Sequence, residues 1–401
     1  MSQKGRPYLA IPGPSVIPER VLASMHRPSP DIYKGELHDI TASLIPDLQT
    51  VAQTESKVAI YIANGHGAWE AAIANTLNPG DHVLTLATGR FAFGWAEIAE
   101  KLGVKITVLD FGKSAGIDIE KVEEALEKDT AKQFKVILVA HTDTSTSIRT
   151  DLKELRLCID KIAHPAMIFA DCIASLGTDC FKMDEWGIDL MISACQKGLM
   201  TPPGLSFVWY NTRAQQARSK KENVSMYWDW EPRSNVKRFY QYFSGTAPTH
   251  HIYGLRTALD MLVKEQNIAD VWARHKNLSQ AIWAAFDCWS SPGHIQMNVK
   301  DKQLRSHAVT AASIKSGGAK KLQDWCERNS DLTLGIGLGM AEQEDPKIHD
   351  FFRIGHMGHI NATMILGVLS TIDVALKALN IPHGQNAIDS ATHTLAKTYK
   401  I

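Results

Sequence analysis

Short apolar runs alternate with amphipathic stretches along the chain from residue 58 to residue 210. The stretches Phe91–Lys101 and Asp118–Glu127 have the spacing of helices, and the apolar runs around them have the length of strands. This alternation is typical of βαβ units and predicts a mainly parallel sheet between helices. The runs with strand character are Val58–Ile62, His82–Ala87, Val104–Leu109, Val136–Ala140, Ala166–Ala170 and Ile188–Ile192.

The pattern becomes helical after residue 249. Ile252–Val263 is amphipathic, and Ile268–Trp289 is long enough to connect two domains. Beyond it, apolar runs at Ala308–Ile314 and Leu332–Leu338 mix with helical stretches, as in an α+β domain. We therefore predict an α/β protein with an N-terminal arm over residues 1–20, a large domain over residues 21–268 and a small C-terminal α+β domain over residues 269–401.

Composition narrows the classes of function. The 401 residues include 43 basic and 43 acidic side chains, and no basic block favours nucleic acid or an anionic membrane surface. The apolar runs are far shorter than the roughly 20 residues that span a bilayer, and the N-terminus lacks the apolar core of a signal peptide. The six cysteines have no paired spacing, which favours free thiols over disulfides or a zinc site. We expect a cytoplasmic protein that acts on small molecules and uses no metal.

Polar residues follow several of the predicted strands. Right-handed crossovers bring the ends of parallel strands to one edge of the sheet, where ligands bind in such folds. The residues that we expect to converge at this edge are Asn64, Thr88, Thr144, Asp171 and Lys197.

Lys197 and Asp171 suggest a particular chemistry. Pyridoxal phosphate needs such a pair, because a lysine amine bonds to the cofactor aldehyde and an aspartate keeps the pyridine nitrogen protonated. A surface lysine and an aspartate that caps a helix are the alternative. Upstream, Asn64-Gly65-His66-Gly67 joins a strand to a helix predicted from Ala68, and the start of a helix after such a turn can bind a phosphate.

Five short motifs occur in order along the chain: Ile11-Pro12-Gly13-Pro14, Asn64-Gly65-His66-Gly67-Ala68-Trp69-Glu70, Asp171-Cys172-Ile173-Ala174-Ser175-Leu176-Gly177, Gln196-Lys197 with Pro202-Pro203-Gly204, and Phe352-Arg353-Ile354-Gly355-His356-Met357-Gly358. Together they resemble the class V aminotransferases, most closely the alanine/serine–glyoxylate aminotransferase group. The resemblance implies a fold type I transferase with a mainly parallel seven-stranded sheet in its large domain. It also implies pyridoxal 5′-phosphate as cofactor and a homodimer with the active site at the subunit interface.

The resemblance assigns roles to single residues. Lys197 matches the Schiff-base lysine that also moves a proton between substrate and cofactor, and Asp171 matches the partner of the pyridine nitrogen. Gly65 and His66 match the turn that binds the phosphate, and Asn64 stands where the family often has Ser or Thr. The other cofactor-binding matches are Phe91 on the pyridine ring, Thr144 near the phenolic oxygen, Gln196 at the phosphate, and Thr246 at the phosphate of the neighbouring subunit.

Arg353 matches the arginine that binds the substrate α-carboxylate. A guanidinium donates two parallel hydrogen bonds to a carboxylate, and a surface ion pair is the alternative. Phe91 also has a plain alternative, as a first-turn helix residue that packs on the core. The sequence departs from the family near Thr246, because the tyrosine that some members have three positions earlier is Phe243 here. Tyr240, Tyr242 or water would then take its place.

Three functions are compatible with these residues. The first is ping-pong transfer of an amino group from a small amino acid, serine or alanine, to glyoxylate or another small 2-oxo acid. A second cation such as Arg90, Arg149 or His356 would also admit aspartate. The second is a lyase or cysteine desulfurase, against which stand Gln196 before the lysine and the helical setting of Cys326. The third is a cofactor-binding regulator, which would need an additional DNA-binding domain. The sequence favours the first.

Overall fold

The computed structural model describes residues 5–398, which form two large β-sheets packed with helices. The strands are β1 (Tyr8–Ala10), β2 (Lys57–Tyr61), β3 (His82–Ala87), β4 (Lys105–Asp110), β5 (Phe134–Ala140), β6 (Thr142–Asp143), β7 (Ile148–Arg149), β8 (Met167–Asp171), β9 (Leu190–Ala194), β10 (Ser206–Tyr210), β11 (Ile295–Met297), β12 (Val309–Ile314), β13 (Leu332–Ile336) and β14 (Phe351–Gly355). The helices are α1 (Glu19–Met25), α2 (Glu36–Ala52), α3 (Gly65–Thr76), α4 (Arg90–Lys101), α5 (Ile119–Lys128), α6 (Leu152–Lys161), α7 (Thr212–Ser219), α8 (Glu231–Ser234), α9 (Thr249–Leu259), α10 (Ile268–Trp289), α11 (Gly318–Ser330), α12 (Ala362–Ala378) and α13 (Ala387–Ala396).

The larger sheet has seven strands in the order β2-β10-β9-β8-β5-β3-β4. Neighbouring strands are parallel except at β10, which is antiparallel to both β2 and β9. The prediction of a mainly parallel sheet between helices is therefore confirmed. Side chains of β5 alternate between two cores, because successive strand residues point to opposite faces. Val136 and Leu138 pack with α3 and α4, whereas Ile137 and Val139 pack with α2, α5 and α6.

The second sheet has five strands in the order β1-β13-β14-β12-β11 and a separate core formed with α10 to α13. Strand β1 joins it from the N-terminal region, parallel to β13. Helix α10 connects the two cores, since Ile268 and Val271 pack in the core of the large sheet and Phe286 and Trp289 pack in that of the small one. The division into an arm (1–20), a large domain (21–268) and a small domain (269–401) stays a prediction.

The turn after β2 differs from the sequence prediction. Helix α3 begins at Gly65 rather than at Ala68, because Asn64 caps it. The Asn64 Oδ1 atom accepts hydrogen bonds from the backbone N–H groups of His66 and Gly67, at 3.1 and 3.4 Å. Gly65 and His66 therefore lie in the first helical turn.

All six cysteines are free thiols, as their spacing predicts. None of the helices between residues 5 and 398 is long and apolar enough to cross a membrane.

Candidate active site

A cleft opens where β2, β5, β8 and β9 end, with a cavity volume of about 210 Å³. Eight of the residues predicted to bind a cofactor meet there, at the edge where the strand-to-helix turns of a parallel sheet converge. Sequence analysis had not selected Trp69, Thr142, Ile173 and Ala174 individually, although three of them lie within the quoted motifs. The residues that line the cleft are Asn64, Gly65, His66, Trp69, Phe91, Thr142, Thr144, Asp171, Ile173, Ala174, Gln196 and Lys197.

Asp171 is the last residue of β8, and only 4% of its surface is exposed. Its two oxygens each accept one hydrogen bond, Oδ2 from Trp69 Nε1 at 2.9 Å and Oδ1 from the backbone N–H of Ile173 at 2.8 Å. Burial raises the pKa of this carboxyl group to about 7, and the two hydrogen bonds act in the opposite direction. The donors hold the carboxylate in one orientation inside the cleft. Trp69 is therefore a site residue, although a tryptophan in a helix gives no sequence signal that separates it from a core residue.

Lys197 lies between the cleft and the N-terminal segment. Its Nζ atom donates a hydrogen bond to the backbone oxygen of Pro12, and Gly13 adopts a φ of +95° beside it. Burial and, to a smaller extent, the positive charge of Arg353 lower the pKa of Lys197 to about 8, while the negative charge of Asp171 acts in the opposite direction. A lysine amine with such a pKa is partly neutral near pH 7, and the neutral amine is the nucleophilic form.

The backbone of Lys197 is held by the same N-terminal segment. Ser15 Oγ donates to the Lys197 carbonyl at 2.7 Å, and the Ser15 N–H donates to the Gln196 carbonyl at 2.9 Å. Pro12 and Gly13, from the motif at residues 11–14, therefore lie against Lys197 and support its position.

The start of α3 faces the cleft and offers a place for an anion. Helix N-termini bind anions through backbone N–H groups and the positive end of the helix dipole. Because the N–H groups of His66 and Gly67 are bonded to Asn64 Oδ1, an anion here would share or replace that acceptor. A Cβ at position 65 would overlap the end of the Ile173 side chain, which would then have to move away from the cleft wall that it forms. The His66 ring lies 4.5 Å from the Trp69 ring, and burial followed by the charge of Arg90 lowers the pKa of His66. The imidazole is therefore mainly neutral at pH 7.

Arg353, on β14, reaches toward the cleft from the small sheet without lining it. It is 6% exposed, and it donates from Nε to the Ile336 carbonyl at 2.7 Å and from Nη1 to the Thr144 carbonyl at 2.8 Å. Burial lowers the pKa of Arg353 to about 10, and the charge of Asp143 opposes this. The alternative of a surface ion pair is wrong, because the guanidinium is buried and bonded to backbone oxygens.

Other residues that the sequence singled out also lie outside the cleft. Thr88 is buried and does not line the cleft, so its expected convergence there is wrong. Thr246 is exposed on the surface, and its expected contact with a neighbouring subunit stays a prediction. Phe243 packs in the main core with 1% of its surface exposed, whereas Tyr240 is 53% exposed. Of these two, Tyr240 alone is accessible to a second chain.

The structure distinguishes the three candidate cations for a second carboxylate. His356 is fully buried between Thr310 Oγ1 and a backbone carbonyl, and burial lowers its pKa to about 3, so it carries no charge. Arg149 donates from Nη2 to the Gln303 carbonyl. Arg90 is exposed and precedes Phe91, which lines the cleft. His356 is therefore excluded as the second cation.

Besides a groove of about 230 Å³ lined by residues of β13 and α12, two grooves of about 520 and 410 Å³ lie elsewhere on the surface. They are near Gln49 and near Tyr210, and both are lined mainly by polar surface side chains. Neither contains a residue that the sequence analysis selected. We take the cleft of about 210 Å³ as the active site, since it combines apolar walls with convergent polar groups.

Comparisons with known proteins identify the family of the chain. The family model for Aminotransferase class-V matches residues 8–344. The chain is 33% identical over 379 residues to the serine–glyoxylate aminotransferase of Methylorubrum extorquens, covering 93% of this chain and 91% of that protein. It is 29% identical over 379 residues to the L-aspartate–glyoxylate aminotransferase of Paracoccus denitrificans, with coverage of 93% and 91%.

The fold is shared with solved structures as well. The structure of ureidoglycine-glyoxylate aminotransferase from Bacillus subtilis superposes with a TM-score of 0.86 at 23% identity, and 98% of each chain is covered. This likeness confirms the predicted fold type I architecture. Because the family match spans most of the sequence, the chain belongs to the class V aminotransferase family and uses pyridoxal phosphate as its cofactor.

Proposed function

We propose that this protein transfers the amino group of a small amino acid, serine or alanine, to a small 2-oxo acid, glyoxylate in particular. The observation that carries the proposal is that Lys197 and Asp171 line one cleft together with the N-terminus of α3. The serine–glyoxylate aminotransferase of Methylorubrum extorquens, 33% identical, supports the choice of substrates.

The residues of the cleft fit pyridoxal phosphate in their chemistry. Asp171 would pair with the pyridine nitrogen, the start of α3 and Gln196 would bind the phosphate, and Lys197 would bond to the aldehyde. The hydrogen bonds from Trp69 and Ile173 already orient the Asp171 carboxylate. When bound, the cofactor supplies an aldehyde that takes up the amino group and a ring that accepts electron density from the substrate.

The protein side chains then perform the remaining tasks. Once the substrate amine has displaced it from the cofactor, the Lys197 Nζ atom, with its lowered pKa, would take the proton from the substrate Cα and pass it to the cofactor. Arg353 would bind the substrate carboxylate through Nη2, while its Nε and Nη1 atoms donate to backbone oxygens and hold the guanidinium in place. The Thr144 hydroxyl and the Phe91 ring complete the walls of the cleft.

Aspartate is a second candidate donor. Arg90 is exposed next to Phe91, which lines the cleft, and it offers a positive charge to the distal carboxylate of an aspartate substrate. The 29% identical relative from Paracoccus denitrificans is an L-aspartate–glyoxylate aminotransferase. Desulfurase chemistry is disfavoured, because Cys326 lies fully buried in α11, away from the cleft.

A homodimer is part of the proposal. The exposed Thr246 and Tyr240 are available to reach a cofactor in the neighbouring subunit. A cytoplasmic location also fits the six free thiols, because reducing compartments keep cysteines unpaired.

The test is a panel of amino donors against glyoxylate, pyruvate, oxaloacetate and 2-oxoglutarate. We expect serine or alanine with glyoxylate to give the highest kcat/KM, and single-turnover mixing with the donor alone to convert the cofactor to its amino form. Failure of every donor to cause that conversion would refute transamination. Persulfide formation from cysteine would instead indicate a desulfurase.

A further inference from the structure

Asp143 is a buried carboxylate that the proposed chemistry leaves without a role. It lies in β6, directly after β5, and it has no exposed surface. A buried carboxylate is costly unless hydrogen bonds or a cation compensate for lost hydration. Its partners therefore indicate what it does.

Three donors converge on the Asp143 carboxylate. Oδ1 accepts from the backbone N–H of Ser145 at 2.9 Å and from the Ser145 hydroxyl at 2.5 Å. Oδ2 accepts from the backbone N–H of Phe91 at 2.8 Å. Ser145 Oγ in turn accepts from the backbone N–H of Arg90 at 3.1 Å. Burial raises the pKa of Asp143, and the hydrogen bonds from Ser145 and from the backbone N–H of Phe91 act in the opposite direction because they favour the ionised form.

These contacts make Asp143 the cap of a helix that is distant in sequence. Helix α4 begins at Arg90, and the residue at its own cap position is Gly89, which has no side chain. A Cβ at Gly89 would overlap the Asp143 carboxyl group, so the glycine leaves room for a capping side chain from another part of the sequence. A carboxylate at this position satisfies free N–H groups and interacts favourably with the helix dipole.

The cap joins three groups at the cleft. It fixes the first turn of α4, which presents Phe91, to the β6–β7 hairpin, which presents Thr144. The same hairpin holds Arg353, whose Nη1 donates to the Thr144 carbonyl at 2.8 Å. Displacement of the hairpin would therefore move the aromatic wall, the hydroxyl group and the guanidinium together.

We propose that Asp143 is a positioning residue that holds Phe91, Thr144 and Arg353 as one unit and thereby sets the affinity of the cleft for carboxylate substrates. This inference rests on the proposed function, in which Arg353 binds the substrate carboxylate. Asp143 touches neither the substrate nor the cofactor in this scheme, and it acts through the residues that do.

Loss of the helix cap and loss of the negative charge of Asp143 should change the KM in opposite directions, so an experiment can separate the two roles. Removal of a negative charge near a carboxylate site would by itself strengthen the binding of an anionic substrate, because like charges repel. Loss of the cap would weaken binding, because the arginine and the cleft walls would lose their alignment. The sign of the change in KM therefore separates the two roles.

The experiment compares Asp143→Asn with Asp189→Asn in the holoenzyme. Asn keeps the size of Asp but has one acceptor oxygen for two backbone N–H groups. Asp189 is the control, because it is also buried and accepts from the Ile168 N–H at 2.9 Å, at the opposite edge of the large sheet from the cleft, where it also pairs with Arg213. We expect Asp143→Asn to raise the KM of the amino donor about tenfold, with a smaller effect on kcat, and Asp189→Asn to leave KM unchanged. Binding of a carboxylate inhibitor without an amino group, measured by calorimetry, should weaken by the same factor.

An unchanged or lowered KM in Asp143→Asn would overturn the inference. If Asp143→Asn does not fold, Ser145→Ala takes its place. This variant lacks the hydroxyl that donates to the Asp143 carboxylate and accepts from the Arg90 N–H. An unchanged KM in Ser145→Ala would also overturn the inference. The Arg353→Ala variant tests the underlying function. If Arg353→Ala leaves KM unchanged, the carboxylate site assigned to Arg353 is wrong, whereas a raised KM in Arg353→Ala with no effect of Asp143→Asn refutes the positioning role alone.

Discussion

Replacement of Trp69 by Phe tests how the Asp171 carboxylate is held. The Trp69 Nε1–H donates to Asp171 Oδ2 at 2.9 Å, one of two hydrogen bonds that the carboxylate accepts from the protein. Phenylalanine keeps an aromatic ring between His66 and Trp95, but it cannot donate. The substitution therefore removes the donor with little other change in the cleft.

The magnitude follows from the chemistry of the lost bond. A hydrogen bond to a charged group contributes about 1.5–3 kcal/mol. Asp171 is buried, so water does not replace the missing donor, and the pKa of Asp171 should rise further above about 7. The ionised carboxylate is the form that pairs with the protonated pyridine nitrogen. We therefore expect the dissociation constant of pyridoxal phosphate to rise about tenfold to 150-fold.

The assay is a fluorescence titration of apoenzyme with pyridoxal phosphate at pH 7. Trp209→Phe is the control, because Trp209 is also fully buried and its Nε1 donates to a backbone carbonyl far from the cleft, that of Leu48 at 3.2 Å. Both variants should lose some stability from the smaller ring, which thermal unfolding will show. Equal cofactor affinities in the two variants would refute the argument that Trp69 orients Asp171.

Three further predictions concern the pKa values and the glycines. Lys197 has a pKa of about 8, so the rate at which it captures pyridoxal phosphate should rise with pH and level off above about pH 8. Stopped-flow absorbance measures this rate, and a rate that still rises at pH 10 would contradict the prediction. Burial would raise the pKa of Asp179, but His307 lowers it below the usual 3.8, so Asp179 stabilises the fold above about pH 4 and loses this effect as the pH falls. Asp179→Asn should therefore cost about 3–5 kcal/mol in urea unfolding at pH 7 and less at pH 3. Gly198→Ala should destabilise the protein by about 1–3 kcal/mol, since its Cβ would overlap a backbone oxygen, whereas Gly367→Ala, in the open face of α12, should stabilise it by about 0.5–1 kcal/mol in the same assay.

The alternation of apolar runs and helical stretches was enough to predict six of the seven strands of the large sheet, all except β10. Helix α10 was predicted with its observed ends, because its apolar spacing is regular over 22 residues. The order of the strands was not accessible in this way, since β10 inserts between β9 and β2 through contacts distant in sequence. Strand β1 has three residues and no periodic signal, so its place in the small sheet comes from tertiary pairing alone.

The site was predictable as far as strand ends determine it. Asp171 and Lys197 met as expected, because the exits of parallel strands share one edge. The rule failed for Thr88, which also follows a strand but is buried outside the cleft. Trp69 and Asp143 were missed for a different reason. A helical tryptophan and an aspartate in a short hairpin look like core and turn residues, and only their tertiary hydrogen bonds reveal their partners.

The N-terminal segment has a consequence for any attempt to divide this enzyme into pieces. Strand β1 completes the small sheet, and Pro12 and Ser15, only a few residues later, hold the side chain and backbone of Lys197. A protein shortened to begin at α1 would lose an edge strand at one end of the molecule and the support of its reactive amine at the other. Proteolytic nicking or insertion between residues 10 and 15 should therefore inactivate the enzyme even where both sheets survive. Tags and fusions are better placed elsewhere.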